Sequence, residues 1–240
     1  MLRLPSLEWQ KANNFSGGDV GGPAPRRAHS TALFTGSDGS TRVALYGGRL
    51  RSKELLSDVW IGTLDWPRIR WERVFDPAAA QAAGSVPDKD YPAPRKGHVG
   101  MVHDDGTGPR LIVHGGRNDT HYFSRVWQFD LEGSRSWVDI TPALGAVPAP
   151  RDHHAAVVSG ERLIIYGGRS GVSYATSAPT SDVWSFHLPS RSWRMEAQRG
   201  LTPLPRFLAS SLLYKPANSS DRLLVFGGET GSSCKLNDVW

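Results

Sequence analysis

Cysteine is almost missing from this sequence: the single Cys234 excludes an internal disulfide and gives no sign of an oxidising compartment. Long hydrophobic runs are missing as well. No stretch approaches the roughly 18 apolar residues of a membrane-spanning helix, and residues 1–10 lack an apolar core of signal-peptide length. These absences point to a cytoplasmic protein with no membrane partner. The 28 Lys and Arg against 23 Asp and Glu leave a formal charge of +5, yet no run of five basic residues occurs. The arginines recur at set places instead of massing into a patch, and no RNA-binding motif is found, so no nucleic-acid partner is expected.

Glycine and proline are plentiful. The 26 glycines and 17 prolines are spread along the chain, which suits many short strands joined by turns better than long helices. With 39% hydrophobic residues the chain is apolar enough to fold. The expected fold is all-β.

An internal repeat gives that fold its form. Four apolar runs close on paired glycines: Val43 to Tyr46 before Gly47 and Gly48, Leu111 to His114 before Gly115 and Gly116, Leu163 to Tyr166 before Gly167 and Gly168, and Leu223 to Phe226 before Gly227 and Gly228. The first glycines lie 68, 52 and 60 residues apart. Ahead of each run stands Pro-x-Pro-Arg, ending at Arg26, Arg95, Arg151 and Arg206; three residues later come His29, His98 and His154, with Ala209 in the fourth copy. Behind each pair of glycines comes Val-Trp at Trp60, Trp127, Trp184 and Trp240, then a second tryptophan at Trp71, Trp137 and Trp193. Trp9 matches that second position in a unit before the first.

Each landmark has a physical reason. The runs do not alternate, so both faces of their strand are buried, as between stacked sheets. Paired glycines are expected to end that strand where φ is positive or another backbone comes close. The tryptophans supply large apolar surfaces between neighbouring sheets, and the prolines stiffen the crossing from one unit to the next. The histidines at the recurring position read as framework hydrogen-bonders. His153 and His154, adjacent on a strand, point to opposite faces and do not chelate a metal as a pair.

The doubled glycine, the Asp-Val-Trp triplet and the later tryptophan resemble the kelch repeat, in its variant with Pro, Arg and His before the first strand. The resemblance implies a β-propeller with four recognisable four-stranded blades, the last incomplete. On this reading residues 1–22 hold the last strand of a preceding blade and a linker, 23–76 blade one, 77–94 an insertion, 95–141 blade two, 142–197 blade three and 198–240 blade four. The chain ends inside a strand, which is read as part of a longer propeller. One departure stands out: blade two has Arg125 where the others have Asp58, Asp182 and Asp238, so an ion pair made there is absent or reversed.

Kelch propellers mostly serve as interaction platforms, which implies a non-catalytic scaffold with no cofactor and no metal. The alternative is a carbohydrate-active or metal-dependent enzyme on the same fold, as in galactose oxidase or the kelch-type sialic-acid epimerases. Here Cys234 has no matched Tyr and His set, and Gly17 to Gly22 lacks the lysine and helix of a phosphate loop. What remains is the face built by the loops after the doubled glycines and those leading into each first strand. Candidate partner-binding residues are Arg49, Arg51, Arg117, His121, Arg169, Tyr174 and Glu229 from the first set, and Arg27, Lys96, Asp152, His153 and Phe207 from the second. A surface so rich in arginine suits a protein partner with an acidic or phosphorylated segment.

Overall fold

The computed structural model describes residues 13–15, 21–217, 220–231 and 234–240. Five sheets, antiparallel except for one strand pair at an outer edge, make up four successive blades along the chain. In blade one, β1 (Asn13–Phe15), β2 (Arg26–Arg27), β3 (Ser30–Thr35), β4 (Thr41–Leu50), β5 (Leu55–Asp65) and β6 (Arg68–Phe75) form a sheet in the order β1-β6-β5-β4, with β2 and β3 both on β4. A short helix α1 (Pro77–Ala82), capped by Asp76, precedes blade two. Blade two is β7 (Lys96–Asp104), β8 (Pro109–Arg117), β9 (Val126–Asp130) and β10 (Trp137–Asp139) in simple meander order.

Blade three carries β11 (Arg151–Asp152), β12 (Ala155–Ser159), β13 (Arg162–Tyr166), β14 (Arg169–Ser170), β15 (Ala178–Pro179), β16 (Val183–His187) and β17 (Ser192–Met195). Its four long strands run in the order β12-β13-β16-β17, and β11, β14 and β15 make a separate small ribbon. Blade four has β18 (Ser210–Tyr214) paired with β19 (Arg222–Phe226). Val225 and Trp240 then exchange backbone hydrogen bonds of 2.9 and 3.0 Å, which begins a third strand.

The first strands stand side by side, β3 beside β7, β7 beside β12 and β12 beside β18, so each blade begins at a common axis. Ridges of small residues allow this approach. A side chain at Gly100 would run into Ser30 Oγ of the preceding blade. The apolar core lies between sheets instead of within one. Phe34, Tyr46 and Ile61 of blade one pack with Leu111, Trp127, Phe129 and Trp137 of blade two. Ile112 and Val126 pack in the same way with Leu163, Trp184, Phe186 and Trp193 of blade three. The later tryptophans of blades two and three cap the residue before the previous blade's glycines: Trp137 lies 5.2 Å from Tyr46 and Trp193 5.0 Å from His114, centroid to centroid.

Two expectations about the backbone need correction. The glycines do not end the strand in blades one and two, because β4 and β8 run through them. Both glycines of the pair have positive φ, at 63° and 97° for Gly47 and Gly48. They make a bulge between Tyr46 and Gly48 that bends the strand without stopping it. The separation of His153 from His154 does not come from strand alternation either. His153 has φ of 50°, one of four left-handed residues at the same repeat position with Ala28, Gly97 and Leu208.

Those four residues are joined through the main chain. Gly97 N donates to Ala28 O at 3.0 Å, His153 N to Gly97 O at 2.7 Å and Leu208 N to His153 O at 2.9 Å. This relay rings the axis at one end of the molecule. Trp9 and most of the segment expected to complete a preceding blade lie outside the described residues, and Asn13–Phe15 runs parallel to β6 on the outer edge of blade one.

Candidate functional site

The loop face is built on one polar unit repeated in each blade. The arginine of Pro-x-Pro-Arg is drawn under the face, where its guanidinium donates to the carbonyl of the first paired glycine: Arg26 to Gly47 O at 3.1 Å, Arg95 to Gly115 O at 3.0 Å, Arg151 to Gly167 O at 2.8 Å and Arg206 to Gly227 O at 2.9 Å. In three blades the same guanidinium grips an aspartate with both arms, Asp58, Asp182 and Asp238. That aspartate in turn accepts from the tryptophan two residues on, at 2.6 Å from Trp60, Trp184 and Trp240 Nε1. In each of these three blades a forked ion pair therefore locks the incoming loop to the outgoing strand. The hydrogen bonds from the Arg and Trp donors hold the Asp182 carboxyl below its ordinary range, although burial pulls the other way.

Blade two breaks the pattern and mends it. Arg125 occupies the aspartate's place and turns outward, donating to Asp139 Oδ2 at 2.7 Å and to the carbonyl of Asp88 at 2.9 Å. Arg95 is fully buried and takes its carboxylate from Asp88, in the inserted segment, at 3.0 Å. Trp127 Nε1, which has lost its acceptor, finds no hydrogen-bond partner among the described residues.

These units coincide with a known repeat: residues 73–240 match the family model described as the KLHDC2/KLHL20/DRC7 Kelch-repeats domain. The chain belongs to the kelch-repeat family. Blade one lies mostly before the matched span, and its Arg26, Asp58 and Trp60 make the same contacts as their kelch counterparts. Among curated relatives the chain is 29% identical over 217 residues to the flagellar outer-arm dynein alpha chain of Chlamydomonas reinhardtii, covering 86% of this chain and 4% of that one. It is 27% identical over 208 residues to human host cell factor 1, covering 78% and 9%. It is also 27% identical over 208 residues to bovine Kelch domain-containing protein 3, covering 85% and 49%. The chain thus spans less than half of each of these relatives. Kelch-repeat proteins are in general protein-interaction scaffolds. No helix among the described residues is long and apolar enough to cross a membrane.

Above the kelch framework, the residue after each arginine faces the residue after each glycine pair. Arg27 stands opposite Arg49, Lys96 opposite Arg117, Asp152 opposite Arg169, and Phe207 is bridged to Glu229. The sequence candidates therefore share one face, and the structure sorts them into groups. Arg27, Arg49 and Arg51 border a cavity of about 300 Å³ with Pro25, Arg26 and Leu50. Arg49 and Lys96 converge from two blades on Asp119, each at 3.3 Å. Lys96 is itself buried, and burial with the nearby Arg117 charge lowers its pKa.

The second group joins blades two, three and four. Asp152 is wholly buried, and its Oδ2 accepts from Arg117 Nε at 2.8 Å and Arg169 Nη2 at 3.4 Å. His153 Nδ1 lies 2.9 Å from the same oxygen, off the line of a hydrogen bond. Both guanidiniums lie over the Tyr174 ring, and Arg169 also stacks on Phe207. Lys96 and Asp152 sit below the surface, and Asp152 holds Arg117 and Arg169 in place from beneath. Two candidates stand apart: His121 rests on Phe123 at an exposed turn, and Glu229 pairs with Lys235.

Beneath the mouth of the axis, His98 Nε2 pairs with Ser30 Oγ at 2.9 Å and His154 Nε2 with His114 Nδ1 at 3.1 Å, each linking one blade to the one before. The sequence reading missed Asp88, which has no counterpart in other repeats. It also missed Asp119, for which the convergence of two basic positions was the only available signal.

Proposed function

We propose that this chain is a non-catalytic interaction module whose loop face receives an acidic or phosphorylated segment of a partner protein. The observation that carries this reading is the arginine cluster on blade one. Arg27 and Arg49 are set directly opposite each other on an antiparallel ladder, an arrangement in which like charges repel and cost stability. Arg27 and Arg51 are exposed, and neither has an ion-pair partner among the described residues. Both border the cavity described above, so their forks are available for a carboxylate or phosphate. Arg27 and Arg51, without ion pairs of their own and close to the Arg49 charge, are stabilised by any anion that docks there, and that gain is the driving force for binding.

The test is direct. A fluorescein-labelled hexaglutamate peptide should bind the wild-type protein, with affinity falling as salt is raised. The double variant R27E/R51E should bind it at least about tenfold more weakly, the loss of one or two charge-assisted contacts. Equal affinities for the two proteins would remove blade one from the binding surface.

A further inference from the structure

The connection from Gly168 to Asp182 folds into a hairpin. Arg169 pairs with Pro179 and Ser170 with Ala178, and Gly171 lets the strands close because a side chain there would strike Ser177. The tip is held by its own hydrogen bonds, Ser173 N to Thr176 Oγ1 at 3.3 Å and Ser177 Oγ to Tyr174 O at 2.7 Å. Tyr174 is the tip's link to the body. Its ring is stacked by Arg117 Cζ at 4.7 Å and Arg169 Cζ at 4.3 Å from the centroid, while 57% of the residue stays exposed.

The walls of this slot are fixed independently of the ring. Asp152 holds both arginines from below, and Phe207 of blade four supports Arg169 at 4.9 Å. Two cations share one carboxylate, and Asp152 Oδ1 has no hydrogen-bond partner among the described residues. The slot therefore has an excess of positive charge beside a surface shaped to an aromatic ring. Resting on the acidic-partner reading above, we propose that the surface formed together by the Arg117 and Arg169 guanidiniums is a recognition slot for an aromatic side chain within an acidic partner segment. Tyr174 is its displaceable internal occupant.

The experiment uses two labelled peptides followed by fluorescence anisotropy: six glutamates with a central tyrosine, and the same peptide with alanine in that place. Tyr174→Ala empties the slot at an exposed loop tip, where the core is untouched. It should bind the tyrosine peptide about tenfold more tightly than wild type, the worth of two guanidinium contacts to a ring. Its gain for the alanine peptide, which can use only the charge of the uncovered guanidiniums, should be less than about threefold, and Tyr174→Phe, which keeps the ring, should behave as wild type. If Tyr174→Ala binds the tyrosine peptide no better than wild type does, or binds both peptides alike, the slot is overturned and the acidic-partner reading stands alone. If neither peptide binds any of the three proteins, both fall.

Discussion

His98, His114 and His154 are buried imidazoles that the fold keeps neutral. Burial, helped by nearby Arg95 and Arg151, pushes His98 and His114 down to about 3 and His154 well below its ordinary value. A histidine depressed in the folded state binds its proton more readily when unfolded. Stability is therefore fully present above about pH 6.5 and is lost as pH falls toward 3. Asp182 and Asp238 of the forked pairs, also depressed, add their own loss only below about pH 4. Between pH 6.5 and 4 the unfolding free energy should fall by up to about 1.4 kcal/mol per pH unit for each buried histidine. His154→Ala, which copies blade four's Ala209, should give a shallower slope in urea titrations across that range. Identical slopes would mean that His154 takes up its proton equally well folded and unfolded.

The recurring histidines were visible at this scale because their spacing repeats with the glycines. The left-handed turn beside them was not. Of Ala28, Gly97, His153 and Leu208, only the glycine adopts positive φ without steric cost. At the other three positions the hydrogen bonds between blades impose the conformation.

The element that most needs explaining is blade two. Comparison of repeats singled out Arg125 as the departure, but it could not reveal the remedy, since Asp88 lies in an insertion that no other blade shares. Asp88→Ala should strand the fully buried Arg95 guanidinium and destabilise the protein by about 2–3 kcal/mol, toward the lower end for a broken buried pair because Asp88 is partly exposed. Arg125→Asp on that background restores the aspartate of the other blades, giving both Arg95 and Trp127 Nε1 an acceptor. The double variant should recover more than half of the lost stability in chemical denaturation. No recovery would show that the forked pair is not interchangeable between blades. Strand positions were otherwise legible, because the continuous apolar runs and the tryptophans mark buried strands directly. The passage of β4 and β8 through their glycines was not, since a pair of glycines reads equally as a stop or a bulge.

At the scale of the whole molecule, the position before the glycines reports how the blades cover one another. Tyr46, His114 and Tyr166 are buried by the blade that follows, whereas Phe226 of blade four is 53% exposed, with Leu212 and Val239 beside it on the same groove. An uncovered apolar face of this kind binds dyes such as ANS. The wild-type chain should enhance ANS fluorescence, and L212E/F226E should remove most of the gain without changing far-UV circular dichroism. Absence of dye binding by the wild type would mean that the face is covered in solution. The common loop face was legible from the order of the landmarks. The grouping of candidates around Asp119 and Asp152 depends on distances between blades, which no single repeat records.

The hydrogen-bonded relay around the axis joins neighbouring blades through peptide groups alone, and the side chains carried there are a methyl, a hydrogen, an imidazole and an isobutyl group. At Gly97 the His153 ring leaves little room for a side chain, and every position must accept positive φ. Elsewhere along the relay the seating of the blades and the chemistry of the opening are separately adjustable. The lining of the mouth can be exchanged, residue by residue, on a frame that does not need to be rebuilt.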